Sequence, residues 1–327
     1  MHAQHDLHPV RPGTDEQAGI DAYVAANPRA GGEVNVLSND LKTPYSDQYS
    51  LGIRNLWSAF GHDWSSSATL VHIRSRDGIY FRLGNRWDDG SFHRVTGVPD
   101  ATWGGQPWGQ AIPGFGSLIL GDNGIEYNLN SLLLSLDKPY TADSGWALNV
   151  AYTFSDAEEN RTNASTGETY YFDGARVGDD YYQSTGVPEH RLVLSGIYDL
   201  PGAVTFSGKL TLATHTARSA TNCIDRPAPG NPYCFYDPYV PKGTIGYKQF
   251  DFALEKRWDT GSDLGIKVRA DVINAFNWRN WNQFEGNRGG WNTAQNALVL
   301  EPAFRERNGI EIIQPTRMVK LSFGIDW

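Results

Sequence analysis

The chain has 327 residues, with 28 Lys and Arg against 37 Asp and Glu, a formal net charge of −9 and no Lys/Arg-rich run, which excludes the electrostatic footprint of a nucleic-acid binder. Aromatic residues make up 13% of it, with 11 Trp, 35 Gly and only 2 Met, a mix that favours strands over helices. Mean hydropathy is −0.47 and no apolar run approaches the roughly 18 residues of a membrane-crossing helix, but a transmembrane barrel escapes that test because only alternate residues meet lipid.

Residues 1–33 are polar, contain Pro and Gly and show no sustained period, so an irregular segment is expected there. Its histidines His2, His5 and His8 read as part of a solvated tail. The start has neither a basic n-region nor an apolar h-region, so an export signal is expected to be missing. From there on, period-two alternation recurs in segments of about ten residues. The segments are 49–57, 65–80, 125–136, 146–154, 192–200, 204–212, 250–258, 264–272 and 319–327. In 204–212, Val204, Phe206, Gly208, Leu210 and Leu212 alternate with Thr205, Ser207, Lys209 and Thr211, and His215 continues the polar set. In 264–272, Leu264, Ile266, Val268, Ala270 and Val272 alternate with Lys267, Arg269 and Asp271. The last segment places Val319, Leu321, Phe323, Ile325 and Trp327 on one wholly apolar face. Segments 65–80 and 125–136 alternate only in parts, and a change of phase near Ser131 predicts a bulge there.

Nine predicted strands leave connections that alternate in length. Residues 58–63, 137–145, 201–203 and 259–263 are short turns, whereas 83–123, 156–188, 218–246 and 284–315 are long and rich in Gly, Asn, Asp, Trp and Tyr. Short turns at one end and long loops at the other are the pattern of an outer-membrane barrel. Trp57, Trp64, Trp146, Tyr198, Trp258 and Trp327 fall near strand ends, where an aromatic girdle would meet lipid headgroups.

No catalytic constellation stands out. The glycines at 174–178 do not lead a strand into a helix, as a phosphate loop requires. Ser195 lacks the Gly-x-Ser-x-Gly elbow of a hydrolase, and His190 beside Glu189 reads as a polar rim residue. The pairs Glu158-Glu159 and Asp179-Asp180 read as solvated loop carboxylates. Cys223 and Cys234 lie in one Pro- and Asn-rich loop; a local disulfide there would contribute roughly 3 kcal/mol and imply an oxidising compartment, with two free thiols as the alternative. Asp251, Glu255 and Arg257 face Lys267, Arg269 and Asp271 across a short turn, so opposite charges are expected to pair in a wet lumen. Trp87, Phe92, Trp103, Trp108, Tyr170, Tyr171, Tyr181, Tyr182 and Trp291 in the long loops either stack a ligand or pack the loops together, and the sequence leaves both open.

Several phrases resemble the C-terminal barrel of TonB-dependent receptors, in particular the Oar-like group with an upstream carboxypeptidase-regulatory-like domain. They begin with Leu41-Lys42-Thr43-Pro44-Tyr45-Ser46-Asp47-Gln48-Tyr49, and continue with Asn123-Gly124-Ile125-Glu126-Tyr127 followed by Asp137-Lys138-Pro139-Tyr140. Pro188-Glu189-His190-Arg191 leading to Tyr198-Asp199-Leu200-Pro201 comes next, then Asp271-Val272-Ile273-Asn274-Ala275-Phe276-Asn277. The closing strand with Phe323, Ile325 and Trp327 resembles the insertion signal read by the barrel-assembly machinery.

The resemblance implies that residues 34–327 form the last nine strands of an antiparallel barrel of about 22, without plug, TonB box or signal peptide. It places the chain in the outer membrane of a Gram-negative bacterium, among lipid and lipopolysaccharide. It also implies a non-enzymatic role in uptake of a siderophore, oligosaccharide or peptide, driven by the TonB complex through the plug, with no metal or other cofactor. A soluble secreted β-sandwich acting on carbohydrate, or a nonfunctional truncated product, are the other readings.

Overall fold

The computed structural model describes residues 34–83, 102–103, 106–107, 118–160, 181–222, 235–259, 265–292, 294–310, 312–314 and 316–326. Nine long strands carry the fold: β1 (Tyr45–Ala59), β2 (His62–Leu83), β3 (Leu118–Lys138), β4 (Trp146–Glu159), β5 (His190–Leu200), β6 (Val204–Thr214), β7 (Ile245–Asp259), β8 (Gly265–Ile273) and β9 (Met318–Asp326). Each pairs antiparallel with its sequence neighbours in a single sheet, and β1 and β9 are its edges. Two short segments join it: Val34–Leu37 runs parallel to the start of β3, and Tyr182–Gln183 pairs with the end of β4. All nine predicted strands are present. Among the described residues no helix is long and apolar enough to cross a membrane.

The register resolves the alternation into two faces. Leu51 lies opposite Leu70, Leu70 opposite Leu132, Leu134 opposite Tyr152, Val150 opposite Leu194, Leu194 opposite Leu210, Leu210 opposite Phe250, Phe252 opposite Val272, and Val268 opposite Phe323. One apolar band thus crosses every strand, as lipid contact requires. Its residues are most exposed at the sheet edges, with Leu51 at 76% and Leu321 at 75% against 38% for Leu194 in the middle, because the edge strands lack a neighbour on one side. A β-sandwich would bury such a band between two sheets; here it faces outward. The opposite face carries Ser65, Ser131, Ser155, Ala157, Ala213 and Ala253, all buried. Small side chains crowded on the polar face mark it as the inner wall. Hydroxyl pairs bridge that wall, with Ser67 Oγ 2.8 Å from Ser135 Oγ and Ser131 Oγ 2.9 Å from Ser155 Oγ.

The aromatic girdle gathers at the short-turn end. Trp57 stacks on its cross-strand partner Trp64 at 5.6 Å, and Trp146 meets Trp64 edge-on at 6.0 Å. Tyr198 lies opposite Trp146, and the Tyr140 hydroxyl donates to Asp199 at 2.6 Å. The β1–β2 turn has only Phe60 and Gly61 between the paired Ala59 and His62, both at positive φ (54° and 73°). That geometry matches the right-handed twist of the flanking strands.

The bulge expected near Ser131 is not there. Pairing runs unbroken from Ser65 opposite Asp137 to Ser75 opposite Tyr127, and the register shifts at Gly78 opposite Ile125. The apparent change of phase has a compositional cause: Leu132, Leu133 and Leu134 are consecutive, so one leucine must lie on the inner face while the ladder continues. The real bulge places Asp77 at φ 57° beside Gly78, where a Cβ would approach the Ile125 side chain to 2.9 Å. Beyond it β2 and β3 extend to 22 and 21 residues, well past the 9–11 that span a bilayer. Their upper arms therefore project above the membrane.

Lys138, part of the Asp137-Lys138-Pro139-Tyr140 phrase, locks the β3–β4 turn. Lys138 is 2% exposed, and its Nζ donates to Pro139 O at 2.9 Å, Ser144 Oγ at 2.5 Å and Trp146 O at 2.7 Å while lying 4.5 Å from the Trp146 ring centroid. A Lys138→Met substitution keeps the stem, takes the donor from Pro139 O and leaves Trp146 O with only the Ser144 hydroxyl at 3.3 Å. It is expected to cost about 1–3 kcal/mol in urea unfolding of the refolded chain; an unchanged midpoint would show that water replaces the ammonium.

Candidate functional site at the long-loop end

The chain segments after β6 and after β8 meet over the inner wall. Arg218–Asn222 pairs with Phe235–Tyr239, and Gly289–Asn292 pairs with Ala297–Leu300. The two units are joined by backbone, with Thr221 N donating to Gly286 O at 2.7 Å and Arg288 N to Thr221 O at 3.0 Å. Lys242 adds an ion pair with Glu306 at 2.5 Å. Rings and guanidinium groups fill the junction: Arg307 lies 4.1 Å from the Trp281 ring, Arg218 5.1 Å from Phe284, and Tyr239 meets Phe304 at 5.2 Å. Asn222 and Ala220 are fully buried inside.

Beneath this cover lies a cavity of about 480 Å³. Arg191, Lys209, Thr211, Tyr247, Gln249 and Asp251 line it from β5, β6 and β7, and His215, Arg218, Trp281 and Ile313 from the loops. Its wall residues share the inner face because Ala213 pairs with Arg191 and Tyr247, Thr211 with Gln249, and Lys209 with Asp251. A second hollow of about 1010 Å³ lies toward the short turns, lined by Arg54, Ser65, Asp137, Asn149, Ser195 and Ser207 among others.

His215 follows β6 rather than continuing it, and packs edge-on against Phe284 at 5.2 Å. Burial, and then the neighbouring Arg218 charge, hold its pKa below the usual 6.5. Because the folded value is the lower one, the unfolded chain takes up the proton first. The stability that neutral His215 lends the junction is complete above pH 6.5 and is lost as pH falls through the depressed folded value. Hydrogen exchange of residues 215–218, corrected for intrinsic rates, is expected to speed up across that window, and His215→Gln to remove the effect. A flat profile in the unsubstituted chain would contradict it.

The residues singled out from sequence fall in several places. Arg269 bridges Glu255 at 3.6 Å and Asp271 at 2.9 Å on the inner wall. Asp251 is held instead by the Gln249 amide at 2.8 and 2.9 Å and by Asn274 N at 2.7 Å, while Arg257 lies opposite Lys267, a like charge. Tyr181 donates to Glu126 at 2.7 Å, where Arg74 also bonds at 3.3 Å, and Tyr182 pairs with Glu159, so this loop is tied to the wall. Trp103 lies in the short strand Thr102–Trp103 and Trp291 in Gly289–Asn292. Trp87, Phe92, Trp108, Tyr170, Tyr171, Asp179, Cys223, Cys234 and Trp327 lie outside the described residues, as do residues 1–33; Asp180 does too. Phe323 and Ile325 lie on the apolar face, opposite Val268 and Ile266. His190 takes the upper rim of that face, its ring nitrogen 2.8 Å from the Tyr152 hydroxyl. Arg191, Arg218, Tyr247 and Gln249 were not singled out; alternation put Lys209 on the polar face, but nothing in the pattern marked it.

No curated protein matches the chain. Among solved structures it is similar to the outer membrane transporter YddB from Escherichia coli, at 13% identity and a TM-score of 0.47, covering 90% of this chain and 34% of that one. The ferripyoverdine receptor of Pseudomonas aeruginosa, bound to ferripyoverdine, gives 13% and 0.45, covering 88% and 27%. The ferric enterobactin receptor PfeA of Pseudomonas aeruginosa gives 15% and 0.42, covering 89% and 32%. The chain thus spans about a third or less of the length of these structures. Residues 7–220 match the family model for the outer membrane beta barrel domain. With that match over more than half its length, the chain belongs to the outer membrane β-barrel family and is a protein of the outer membrane.

Proposed function

We propose that the chain forms the C-terminal part of the barrel of an outer-membrane receptor, which binds a ligand at its long-loop end and takes part in its uptake. The observation that carries this reading is the asymmetry of the two ends. At one, turns as short as Phe60-Gly61 close the strands; at the other, loops fold over a polar cavity of about 480 Å³. A barrel kept only for its fold has no use for that cover, whereas a receptor needs its recognition surface outside the cell. The resemblance to TonB-dependent receptors assigns energy coupling to a plug and the TonB complex, and ligand choice to the loops. The hollow of about 1010 Å³ toward the short turns, whose wall mixes Arg54, Asp137 and Asn149 with Leu56, Trp57 and Ile197, suits the surface such a plug would touch. The role is binding and passage rather than catalysis, with a siderophore, oligosaccharide or peptide as ligand and no cofactor.

Protease treatment of intact cells carrying the chain tests the orientation. Cleavage confined to the long loops, with the short turns cut only after the outer membrane is permeabilised, is the expected pattern. Cleavage at the short turns of intact cells would reverse the assignment, and a product recovered from the soluble fraction would end it.

A further inference from the structure

The cavity under the long loops carries more positive charge than its own carboxylate neutralises. Two cations elsewhere on the sheet are matched by carboxylates: Arg269 bridges two, and Arg74 bonds Glu126. Lys209 has a carboxylate directly across the ladder, Asp251, yet that side chain is committed to the Gln249 amide and to Asn274 N. No ion pair joins Lys209 or Arg191 to a carboxylate among the described residues. Arg218 enters from the loops, stacked on Phe284 and bonded to the neutral amide oxygen of Asn282 at 3.2 Å, and among the described residues no carboxylate pairs with it.

Three cations around one partly enclosed space repel one another, and that repulsion weakens when an anion enters. Arginine forks suit the paired oxygens of carboxylate or phosphate groups. Arg191 and Lys209 stand four residues apart in the ladder, about 13 Å along the strand, so a ligand with separate anionic groups can meet each cation near its own place on the wall. The geometry points to a polyanionic ligand with at least two carboxylate or phosphate groups, bound between Arg191, Lys209 and Arg218. This assignment rests on the receptor reading above and names the chemical class of its ligand.

The test is titration of the refolded chain, in an uncharged detergent, with citrate and with inorganic pyrophosphate, read by tryptophan fluorescence and calorimetry. At least one of the two is expected to bind saturably, and which one does separates carboxylate from phosphate preference. Lys209→Gln and Arg191→Gln are each expected to weaken it at least tenfold, while Lys320→Gln on β9 stays within about twofold. Should a variant fail to fold, the unsubstituted chain still decides, because affinity must fall steeply between about 20 and 300 mM salt. Absence of saturable binding by both anions, salt-independent binding, or full affinity in folded Lys209→Gln and Arg191→Gln overturns the proposal. Saturable binding of neutral maltotriose with neither anion overturns the charge assignment alone; the receptor reading falls only on the protease pattern of intact cells.

Discussion

In lipid vesicles, Leu194→Arg is expected to lower the unfolding free energy of the refolded chain by about 2–4 kcal/mol, while Ser207→Arg on the adjacent strand changes it by less than about 1 kcal/mol. Leu194 lies mid-strand on the apolar band, between Val150 and Leu210. A guanidinium there has no water and no acceptor within the band, and must either drag water into the bilayer or bend toward the headgroups. Ser207 lies on the inner wall opposite Ala253 and Ile197 and lines the hollow toward the short turns, where a long polar side chain stays hydrated. Urea titrations of the two variants measure the contrast. Equal losses would mean that the two faces share one environment, which a lipid-facing band forbids.

That contrast rests on information legible in the sequence, because alternation is a local signal and each strand states its own two faces. All nine strands and the girdle at Trp57, Trp64, Trp146 and Tyr198 follow from that local signal. Features set by pairing between distant residues were not legible. The run Leu132-Leu133-Leu134 imitates a bulge, whereas the real one depends on Asp77 and Gly78 meeting Ile125, 47 residues on from Gly78. The cover over the cavity depends on Thr221 meeting Gly286 and Arg288, and no period in the chain announces that contact. The charge of the cavity was half legible. Alternation put Lys209 on the polar face, but only the register, and the bonds that hold Asp251 to Gln249 and Asn274, leave that lysine unmatched. The opposite holds for Arg269, whose partners were visible as charges, Glu255 across the ladder on the neighbouring strand and Asp271 two residues along its own.

Asn274→Ala is expected to destabilise the chain by about 2–4 kcal/mol and to loosen the cavity with it. Asn274 is fully buried at the end of β8 and sits at φ 50°, a left-handed conformation that asparagine tolerates better than alanine. Its side chain closes a loop on itself: Nδ2 donates to Trp278 O at 2.8 Å, and Oδ1 accepts from Trp278 N at 2.9 Å. Alanine removes both bonds, strands Trp278 N, leaves Trp278 O with only the Gln314 amide at 3.2 Å and adds backbone strain, with each loss on the order of 1–2 kcal/mol and not strictly additive. The effect reaches the cavity because Asn274 N also holds Asp251, the carboxylate across from Lys209. Three residues on, Asn277 repeats the device at φ 52° and accepts Arg317 N at 3.0 Å, which fixes where the chain re-enters the sheet at β9. The Asn274-Ala275-Phe276-Asn277 phrase therefore has a physical reason: two left-handed asparagines turn the chain out of the membrane and anchor both ends of the loop. Asn274→Gly separates the two contributions, since glycine relieves the strain but not the lost bonds. It is expected to recover about 1 kcal/mol in urea unfolding relative to alanine, and a glycine variant as stable as the unsubstituted chain would show that conformation alone, and not the amide, holds the turn.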